Sequence, residues 1–272
     1  MAKRKRLDVY LAESSLSASR EKARREIVSG WVKVNGETVR EPSRPVTGEE
    51  NIAIERPGGL FVSRGGEKLN HALEFFRISV RGRVAADLGA STGGFTHCLL
   101  MHGAVKVYAI DVGYGQLDYS LRNDPAVTVM ERTHVKSLER TMFDPRPDFV
   151  TADLSFISIL KAAPVLVEVF APVEGVMLIK PQFEAARDEH KNGVVRKKEH
   201  HHAILSRVAC SLSEAGIACA GLCFSPLRGP AGNIEFLMHF FAGMPGSTSM
   251  PEREIRELTF RTVESAHEYF PE

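Results

Sequence analysis

Residues 82–96, GRVAADLGASTGGFT, decide the fold of this chain. An apolar run over residues 84–86 ends at Asp87, a loop with three glycines follows, and an apolar helical pattern begins at Phe95. This order predicts a strand, a glycine loop and a helix, in which backbone comes close to a ligand at a helix N-terminus. The loop is G-A-S-T-G-G, which does not match the G-x-G-x-x-G pattern that accommodates a pyrophosphate.

A second acidic residue follows the next apolar run. Residues 105–110 are mostly apolar and end at Asp111, roughly 20 residues beyond the glycine loop, where a carboxylate suits the hydroxyls of a ribose. The two features together predict a nucleoside cofactor without a pyrophosphate, and S-adenosylmethionine fits best. The alternative is an ordinary turn between strand and helix, with two aspartates that only end their strands.

The composition is that of an ordinary globular protein. Of 272 residues, 43% are hydrophobic and 25% are charged, which allows one large domain and one small one. No apolar run reaches the ~18 residues of a membrane span, and the basic start MAKRKRLDVY has no apolar core behind it. The four cysteines lack CxxC pairs and predict reduced thiols with no metal site. We therefore expect a cytoplasmic protein without stable membrane association.

Shifts in composition predict the domain boundaries. A basic helix over residues 19–30 leads into a strand and an Asn35-Gly36 turn, which is a strong hairpin signal and predicts a small α+β domain. The Pro57-Gly58-Gly59 stretch then predicts a domain boundary. The expected divisions are residues 1–56, a linker over 57–62, a main domain over 63–246 and a C-terminal tail or helix over 247–272.

Basic side chains are concentrated in the first domain. A cationic helix followed directly by a hairpin indicates a surface for the phosphates of RNA. The alternative is a solvated helix face, which is the usual environment of a run of charges. The candidate RNA-binding residues are Arg4, Arg6, Arg20, Lys22, Arg24 and Lys33.

The segment SASREKARREIVSGWVKVNG resembles the RNA-binding module first described in a small-subunit ribosomal protein and shared with pseudouridine synthases. The resemblance covers residues 5–54. In that family the second helix and the following hairpin form the surface that faces RNA, so the resemblance implies that this domain binds RNA.

Strands alternate with helices throughout the main domain. This alternation predicts a Rossmann-like α/β fold with a mostly parallel seven-stranded sheet. Asp87, Asp111, Asp153 and Lys180 follow apolar strands directly, at the sheet edge where ligands of open α/β sheets bind. Further expected elements are a regular helix over 159–170, a loop or lid over 184–198, a last strand over 233–241 and a helix over 252–267.

Four ionisable residues lie in or next to apolar segments, namely Lys68, Asp153, Lys180 and Glu235, the last inside the predicted final strand. A charged side chain in apolar surroundings is costly unless it is paired. Two lysines and two carboxylates brought together would neutralise one another and change each other's proton affinity. Such a group suits a reaction in which a weakly acidic hydroxyl loses its proton as it attacks a methyl group. Four separate salt bridges on the sheet rim are the alternative.

The segments DLGASTGGFT, AIDVGYGQL, ERTHVK, ADLSFISI, KPQFE and GNIEF resemble, in the same order, those of the TlyA family. The resemblance covers residues 4–242. That family comprises ribosomal-RNA ribose 2′-O-methyltransferases, historically also labelled haemolysins, with an FtsJ-type catalytic domain. The resemblance implies S-adenosylmethionine as cofactor, ribosomal RNA or ribosomal subunits as partner, and cytidine as the target.

The family's Lys-Asp-Lys-Glu tetrad falls on Lys68, Asp153, Lys180 and Glu235. The resemblance implies that Lys180 takes the proton from a ribose 2′-hydroxyl, that Lys68 and Glu235 orient that hydroxyl, and that Asp153 steers Lys180 and the positive charge of the methyl donor. The cofactor-binding residues expected at the same edge are Asp87, Gly89, Ala90, Ser91, Gly93, Gly94, Phe95, Asp111 and Asp153.

Two positions depart from the family pattern. An Arg-x-Trp-Val linker, thought to couple RNA docking to cofactor binding, is replaced here by Gly59-Leu60-Phe61-Val62. The asparagine that is common after Glu-Arg-Thr is replaced by His134, next to the expected adenine pocket.

The run His200-His201-His202 suggests a metal site at first sight. Consecutive residues on a helix point in different directions and chelate poorly as a set, so a solvated helix start is expected instead.

Two other functions compete with the enzyme. A membrane-active haemolysin would need an apolar span or a strongly amphipathic helix, and the sequence shows neither. A non-catalytic RNA-binding protein of ribosome assembly would not need the tetrad, which is intact here.

Overall fold

The computed structural model describes residues 4–17, 19–28, 30–54, 61–246 and 250–271, and all of their side chains except those of residues 21 and 25. The chain divides into two compact units, Met1–Gly59 and Leu60–Glu272. Each unit has a hydrophobic core of its own.

The first unit packs two helices against short strands. The elements are β1 Lys5–Arg6, α1 Leu7–Glu13, α2 Arg20–Val28, β2 Val32–Val34, β3 Glu37–Val39, β4 Pro45–Val46 and β5 Ile52–Ile54. Strand β2 pairs antiparallel with β3 and β5, and β1 pairs with β4. Asn35 and Gly36 both have positive φ, as a two-residue hairpin turn requires. Leu11, Ile27 and Val32 are fully buried between helices and sheet.

A seven-stranded sheet forms the centre of the second unit. The strands are β6 Val84–Leu88, β7 Lys106–Ile110, β8 Val127–Met130, β9 Phe149–Ala152, β10 Val173–Ile179, β11 Ile217–Phe224 and β12 Phe236–Ala242. The order across the sheet is β11-β12-β10-β9-β6-β7-β8. Strand β12 is antiparallel to both neighbours, whereas the pairs from β10 to β8 are parallel. The predicted mostly parallel, Rossmann-like sheet is confirmed.

Helices cover both faces of this sheet. They are α3 Arg64–Phe76, α4 Gly94–Met101, α5 Tyr119–Arg122, α6 Ala163–Val165, α7 Pro181–Glu184, α8 Lys198–Glu214 and α9 Glu252–Tyr269. Alternate strand residues point to opposite faces. Ala85 accordingly joins the cluster that includes Leu69 of α3, and Ala86 joins the one that includes Leu205 of α8.

Two elements differ from the sequence prediction. Residues 159–170 are not one regular helix but a 3₁₀ turn over Ile159–Ala162, then α6, then a π-helical turn over Leu166–Phe170. Pro164 lies in the first turn of α6, where its missing N–H interrupts the preceding ladder. Strand β12 begins at Phe236, so Glu235 lies just before this strand and not inside it.

The C-terminal helix α9 belongs to the main core. Ile255, Val263 and Ala266 are buried in the same cluster as the face of the sheet that α8 covers. The spacing of these residues forms one apolar stripe on a helix whose other faces are charged. Among the described residues, no helix is both long enough and apolar enough to cross a membrane.

Candidate active site

The glycine loop between β6 and α4 has an unusual backbone. Gly89 and Gly93 have φ angles of +87° and +93°, in the region that favours glycine. A Cβ atom at Gly89 would overlap the carbonyl oxygen of Asp153, and one at Gly93 would overlap the side chain of Leu121. The loop therefore lies close against the ends of neighbouring elements, and both glycines are required by sterics.

Asp111, at the end of β7, holds two backbone turns at the same edge. Its carboxylate accepts hydrogen bonds from the amide of Ser91 at 2.8 Å and from the amide of Gly113 at 2.6 Å. Val112 and Tyr114, which follow it, are 65% and 67% exposed. Asp111 thus stands beside exposed apolar surface, next to the glycine loop.

Asp87 lies deeper than the sequence analysis expected. It is fully buried, and its two carboxylate oxygens accept hydrogen bonds from the hydroxyls of Thr96 at 2.7 Å and Thr151 at 3.0 Å. Burial raises the pKa of Asp87 to about 7. This carboxyl joins β6, α4 and β9 beneath the loop, so it braces the site and does not face a ligand.

The side chains of two other expected cofactor residues are also turned inward. Ala90 packs in a small apolar cluster with Leu117 and Leu121, and Phe95 is 3% exposed in the core beneath α3 and α4. At Gly94 a side chain would overlap the Ser63 hydroxyl. At these positions only backbone atoms are placed to meet a ligand.

The first ion pair of the tetrad is buried. Lys68 on α3 donates to the carboxylate of Glu235, and their side chains are 10% and 1% exposed. Arg64, one turn earlier on α3, donates to the backbone oxygen of Arg228 at 2.9 Å. Helix α3 therefore holds the segment that leads to Glu235 at two points.

The second ion pair lies at the rim of the sheet. The Lys180 ammonium is 2.6 Å from Asp153 Oδ1, and its well-aligned hydrogen bond goes to the Ser155 hydroxyl at 2.8 Å. Asp153 Oδ1 is a buried atom that receives the lysine's charge without a well-aligned hydrogen bond. The two lysines are about equally exposed, at 10% and 11%, but Asp153 is 25% exposed against 1% for Glu235, so the pairs differ in the solvation of their carboxylates.

The strand registers bring both pairs to one edge. Ile179 pairs with Phe236, which places Lys180 and Glu235 at adjacent strand ends. Leu88 pairs with Ala152 and with Ile110, so Gly89, Asp153 and Asp111 follow in line. The tetrad, the loop glycines, Ser91 and Asp111 are brought together at this edge.

Sequence reasoning did not single out Phe156. It is 88% exposed, has a φ of +67° and lies near the Phe183 ring, with centroids 5.8 Å apart. A left-handed conformation in a bulky residue is strained and persists only when its surroundings enforce it. Phe156 follows Asp153 by three positions, and this closeness to a tetrad residue was the only signal in the sequence.

The two departures from the family pattern have local structural partners. His134 caps the 3₁₀ turn Val135–Ser137, because its Nδ1 accepts from the amide of Lys136 at 3.1 Å. Phe61 packs edge-on against His97, with ring centroids 5.8 Å apart. Residues 59 and 60 of the linker lie outside the described part of the chain.

Two of the candidate RNA-binding arginines share one buried carboxylate in the first unit. Arg6 donates to both oxygens of Asp8, at 3.0 and 3.1 Å, and Arg20 donates at 3.2 Å. The Arg6 guanidinium holds the pKa of Asp8 below its ordinary value. The arginine side chains are 49% and 61% exposed, so Asp8 orients them at the surface.

The remaining candidates differ in exposure. Arg4 and Arg24 are exposed, while Lys22 and Lys33 are half-buried. All six candidates lie in the first unit. Three of them, Arg20, Lys22 and Arg24, lie on α2.

The histidine run is not a solvated helix start. His201 is fully buried on α8 and faces the ring of Phe236 at 5.5 Å between centroids. Its neighbours His200 and His202 bond instead to the backbone oxygens of Glu189 and Arg256. The prediction failed because one residue in the run falls on the stripe of α8 that packs against the sheet.

Comparison with known proteins identifies the family. The model for FtsJ-like methyltransferases matches residues 61–241, and the model for the S4 domain matches residues 5–52. The chain therefore belongs to the FtsJ-like methyltransferases, carries an S4 domain before the catalytic one, and is an enzyme of that class.

Individual relatives confirm the resemblance to TlyA proteins. The chain is 42% identical to the 16S/23S rRNA (cytidine-2′-O)-methyltransferase TlyA of Mycobacterium tuberculosis, over 88% of this chain and 90% of the relative. It is 43% identical to Hemolysin A of Brachyspira hyodysenteriae, over 86% and 99%. The solved structure "Putative hemolysin from Streptococcus thermophilus" is 36% identical and superposes with a TM-score of 0.76, covering 99% and 98% of the two chains.

Proposed function

We propose that this protein transfers a methyl group from S-adenosylmethionine to the ribose 2′-hydroxyl of a cytidine in ribosomal RNA. The observation that carries the proposal is the pair of lysine–carboxylate contacts, Lys68–Glu235 and Lys180–Asp153, at the sheet edge that also bears the glycine loop. The names of the TlyA relatives supply the RNA, the ribose position and the nucleotide.

The residues at this edge fit S-adenosylmethionine. The loop passes close to the Asp153 backbone without side chains at Gly89 and Gly93, which leaves backbone groups available to the amino-acid end of the molecule. Asp111 would accept from the ribose hydroxyls, and exposed Val112 offers an apolar surface to the adenine. When bound, this cofactor supplies a methyl group on a positively charged sulfur, which is the leaving group.

Lys180 is the residue we assign as proton acceptor. S-adenosylmethionine held at the glycine loop would supply the methyl group, and the proton of the ribose hydroxyl would pass to Lys180, whose ammonium must first release a proton to solvent at the rim. Lys180 is directed by Asp153 at 2.6 Å and by Ser155 at 2.8 Å. A general base of this kind contributes about 10²- to 10⁴-fold to the rate.

The buried pair has a positioning role in this proposal. Lys68 and Glu235 compensate each other's charge in a nearly dry environment. Their fixed geometry would hold the ribose hydroxyl in line with the methyl group, and such alignment supplies much of the rate in a direct displacement. Asp87 contributes indirectly, because it braces β6, α4 and β9 under the loop.

The target nucleotide and the RNA backbone require separate surfaces. Phe156, exposed next to the rim pair, offers a face on which a base can stack. The arginines that Asp8 orients in the S4 domain, together with Arg4 and Arg24, offer cations to phosphates.

The experiment that tests this function uses S-adenosylmethionine with a labelled methyl group and purified small and large ribosomal subunits. The expected result is label at a cytidine 2′-oxygen, located by mapping the modified nucleotide. Lys180→Ala should abolish the label, whereas Lys161→Ala, which removes an exposed lysine from the same domain, should not. Absence of label with the wild-type protein, although the donor binds, would contradict the proposal and favour a non-catalytic role in ribosome assembly.

A further inference from the structure

A cavity of about 210 Å³ lies in the second unit, beside the start of α8 and the end of α9. It has room for several water molecules, since each occupies roughly 30 Å³ in the liquid. His201, His267, Arg196 and Arg228 line it, and no Asp or Glu is among the described lining residues. The charged and titratable side chains around the cavity are therefore arginines and histidines, which can donate hydrogen bonds.

One of these groups lacks a partner. His201 is fully buried, its Nδ1 lies 2.9 Å from His267 Nε2, and its Nε2 has no hydrogen-bond partner. A buried polar atom without a partner is unfavourable, because it has lost its hydrogen bonds to water. Desolvation lowers the pKa of His201 to about 4, so the ring is neutral near pH 7. If His267 donates to Nδ1, the remaining proton of His201 sits on Nε2 and a donor is presented.

The two arginines are placed differently around the cavity. Arg228 donates to the backbone oxygens of Phe270 and Pro271, at 3.2 and 3.4 Å, and lies over the Phe270 ring at 5.0 Å. These contacts fix its guanidinium next to the lining. Arg196 is exposed, so its side chain is free to turn towards an anion that enters.

Asn233 fixes the walls of the cavity. Its amide oxygen accepts from the Val195 amide at 3.0 Å, and its amide nitrogen donates to the Gly193 oxygen at 2.9 Å. Val195 and Ile234 both line the cavity. Asn233 thus joins the segment at Val195 to the segment at Ile234. It lies two residues before Glu235 of the proposed active site.

We propose that this cavity binds a phosphate group, with Arg196 and Arg228 supplying charge and His201 Nε2 donating a hydrogen bond. A tetrahedral oxyanion offers acceptors in several directions, which suits donors that converge from two loops and a helix. The phosphate belongs either to an RNA backbone or to a free phosphate ion. This site is separate from the tetrad, and its occupation does not depend on methyl transfer.

The test begins with inorganic phosphate and the full-length protein, without RNA or methyl donor. Phosphate should bind with a dissociation constant in the millimolar range or tighter, by calorimetry, and should shift the His201 imidazole signals in NMR spectra. Arg196→Gln, at an exposed position, should weaken binding at least fivefold. Arg253→Gln, which removes an exposed charge from α9 outside the cavity, should leave binding unchanged.

A second variant and two outcomes complete the test. His201→Gln should also weaken phosphate binding, with folding checked by thermal unfolding. Equal binding by wild type, Arg196→Gln and Arg253→Gln, or no shift of the His201 signals, would overturn the proposal.

The source of the phosphate is decided by methyl-transfer kinetics in phosphate-free buffer. If the ligand is RNA backbone, Arg196→Gln raises the KM for RNA and added phosphate competes with RNA. If the ligand is free phosphate, Arg196→Gln removes phosphate binding while the KM for RNA stays the same.

Discussion

The two ion pairs of the tetrad have the same chemistry but different surroundings. Glu235 is 1% exposed and its partner Lys68 reaches it from a helix, whereas Asp153 is 25% exposed and its partner Lys180 also bonds to a serine. A buried pair depends on both partners, because removing one leaves an uncompensated charge. A pair at the rim tolerates such a loss and remains accessible to a substrate. Under the proposed function, this difference distinguishes a pair that positions the ribose from a pair that takes its proton.

The largest expected effect on stability concerns the buried pair. Lys68→Met should lower the free energy of unfolding by about 3–5 kcal/mol, because it leaves Glu235 buried and unpaired. Lys180→Met should cost less, about 1–3 kcal/mol, because Asp153 is 25% exposed although its Oδ1 atom is buried. Urea denaturation of both variants measures the difference.

The double variant Lys68→Met/Glu235→Leu is the matched control. It should recover most of the lost stability, since replacing a buried pair by apolar groups is often neutral, and it should remain inactive. Equal losses of stability in Lys68→Met and Lys180→Met would remove the distinction between the two pairs.

The buried carboxyl of Asp87 makes the free energy of unfolding depend on pH. Burial raises the pKa of Asp87 from 3.8 to about 7, so between these values the unfolded chain releases a proton that the folded chain keeps. The contribution of Asp87 to the free energy of unfolding is complete below pH 3.8. It decreases as the pH rises to about 7, and the total loss is on the order of 2–4 kcal/mol.

Asp87→Asn isolates this contribution. The free energy of unfolding of wild type minus that of Asp87→Asn should fall between pH 4 and pH 7 and stay constant above pH 8, as measured by urea denaturation at each pH. A difference that does not change with pH would show that Asp87 titrates normally in the folded protein.

Substitution of Gly89 tests how closely the glycine loop packs against Asp153. Gly89→Ala should cost about 2–4 kcal/mol, because the position has positive φ and a Cβ would overlap the Asp153 carbonyl oxygen. Gly193→Ala, with a φ of +75° and open space around it, should cost only about 1–2 kcal/mol. Thermal unfolding compares the two, and similar losses would mean that the loop does not press on Asp153.

Phe156 provides the smallest expected effect. Phe156→Ala should raise the KM for RNA about tenfold, because the stacking of a base on an aromatic ring contributes about 1–3 kcal/mol. Stability should not fall, since the side chain is 88% exposed. Phe260→Ala, which removes an aromatic ring that is 58% exposed on α9, is the control. An unchanged KM in Phe156→Ala would exclude the stacking role.

Much of this architecture is visible in the sequence because the sheet has a simple pattern. Apolar runs that end in Asp87, Asp111, Asp153 and Lys180 predict parallel strands with polar groups at one edge, and the structure has this sheet. The partners within the tetrad could not be predicted, because Lys68 and Glu235 are 167 positions apart and meet only through the packing of α3 against the β12 side of the sheet.

Burial is the other property that sequence pattern left undetermined. Asp87 and His201 are both fully buried, although in the sequence one ends an apolar run, as Asp111 does, and the other stands in a run of three histidines. In each case packing against a distant element decides the environment, β9 for Asp87 and α9 for His201. Local pattern contains no information about such partners.

The measurement that tests the central claim most directly is single-turnover methyl transfer by Lys180→Met, together with its affinity for S-adenosylmethionine. The account predicts a rate lower by about 10²- to 10⁴-fold, with affinity for the methyl donor within twofold of wild type and with Lys161→Met fully active. A rate within tenfold of wild type at unchanged donor affinity would contradict the assignment of Lys180 as the proton acceptor.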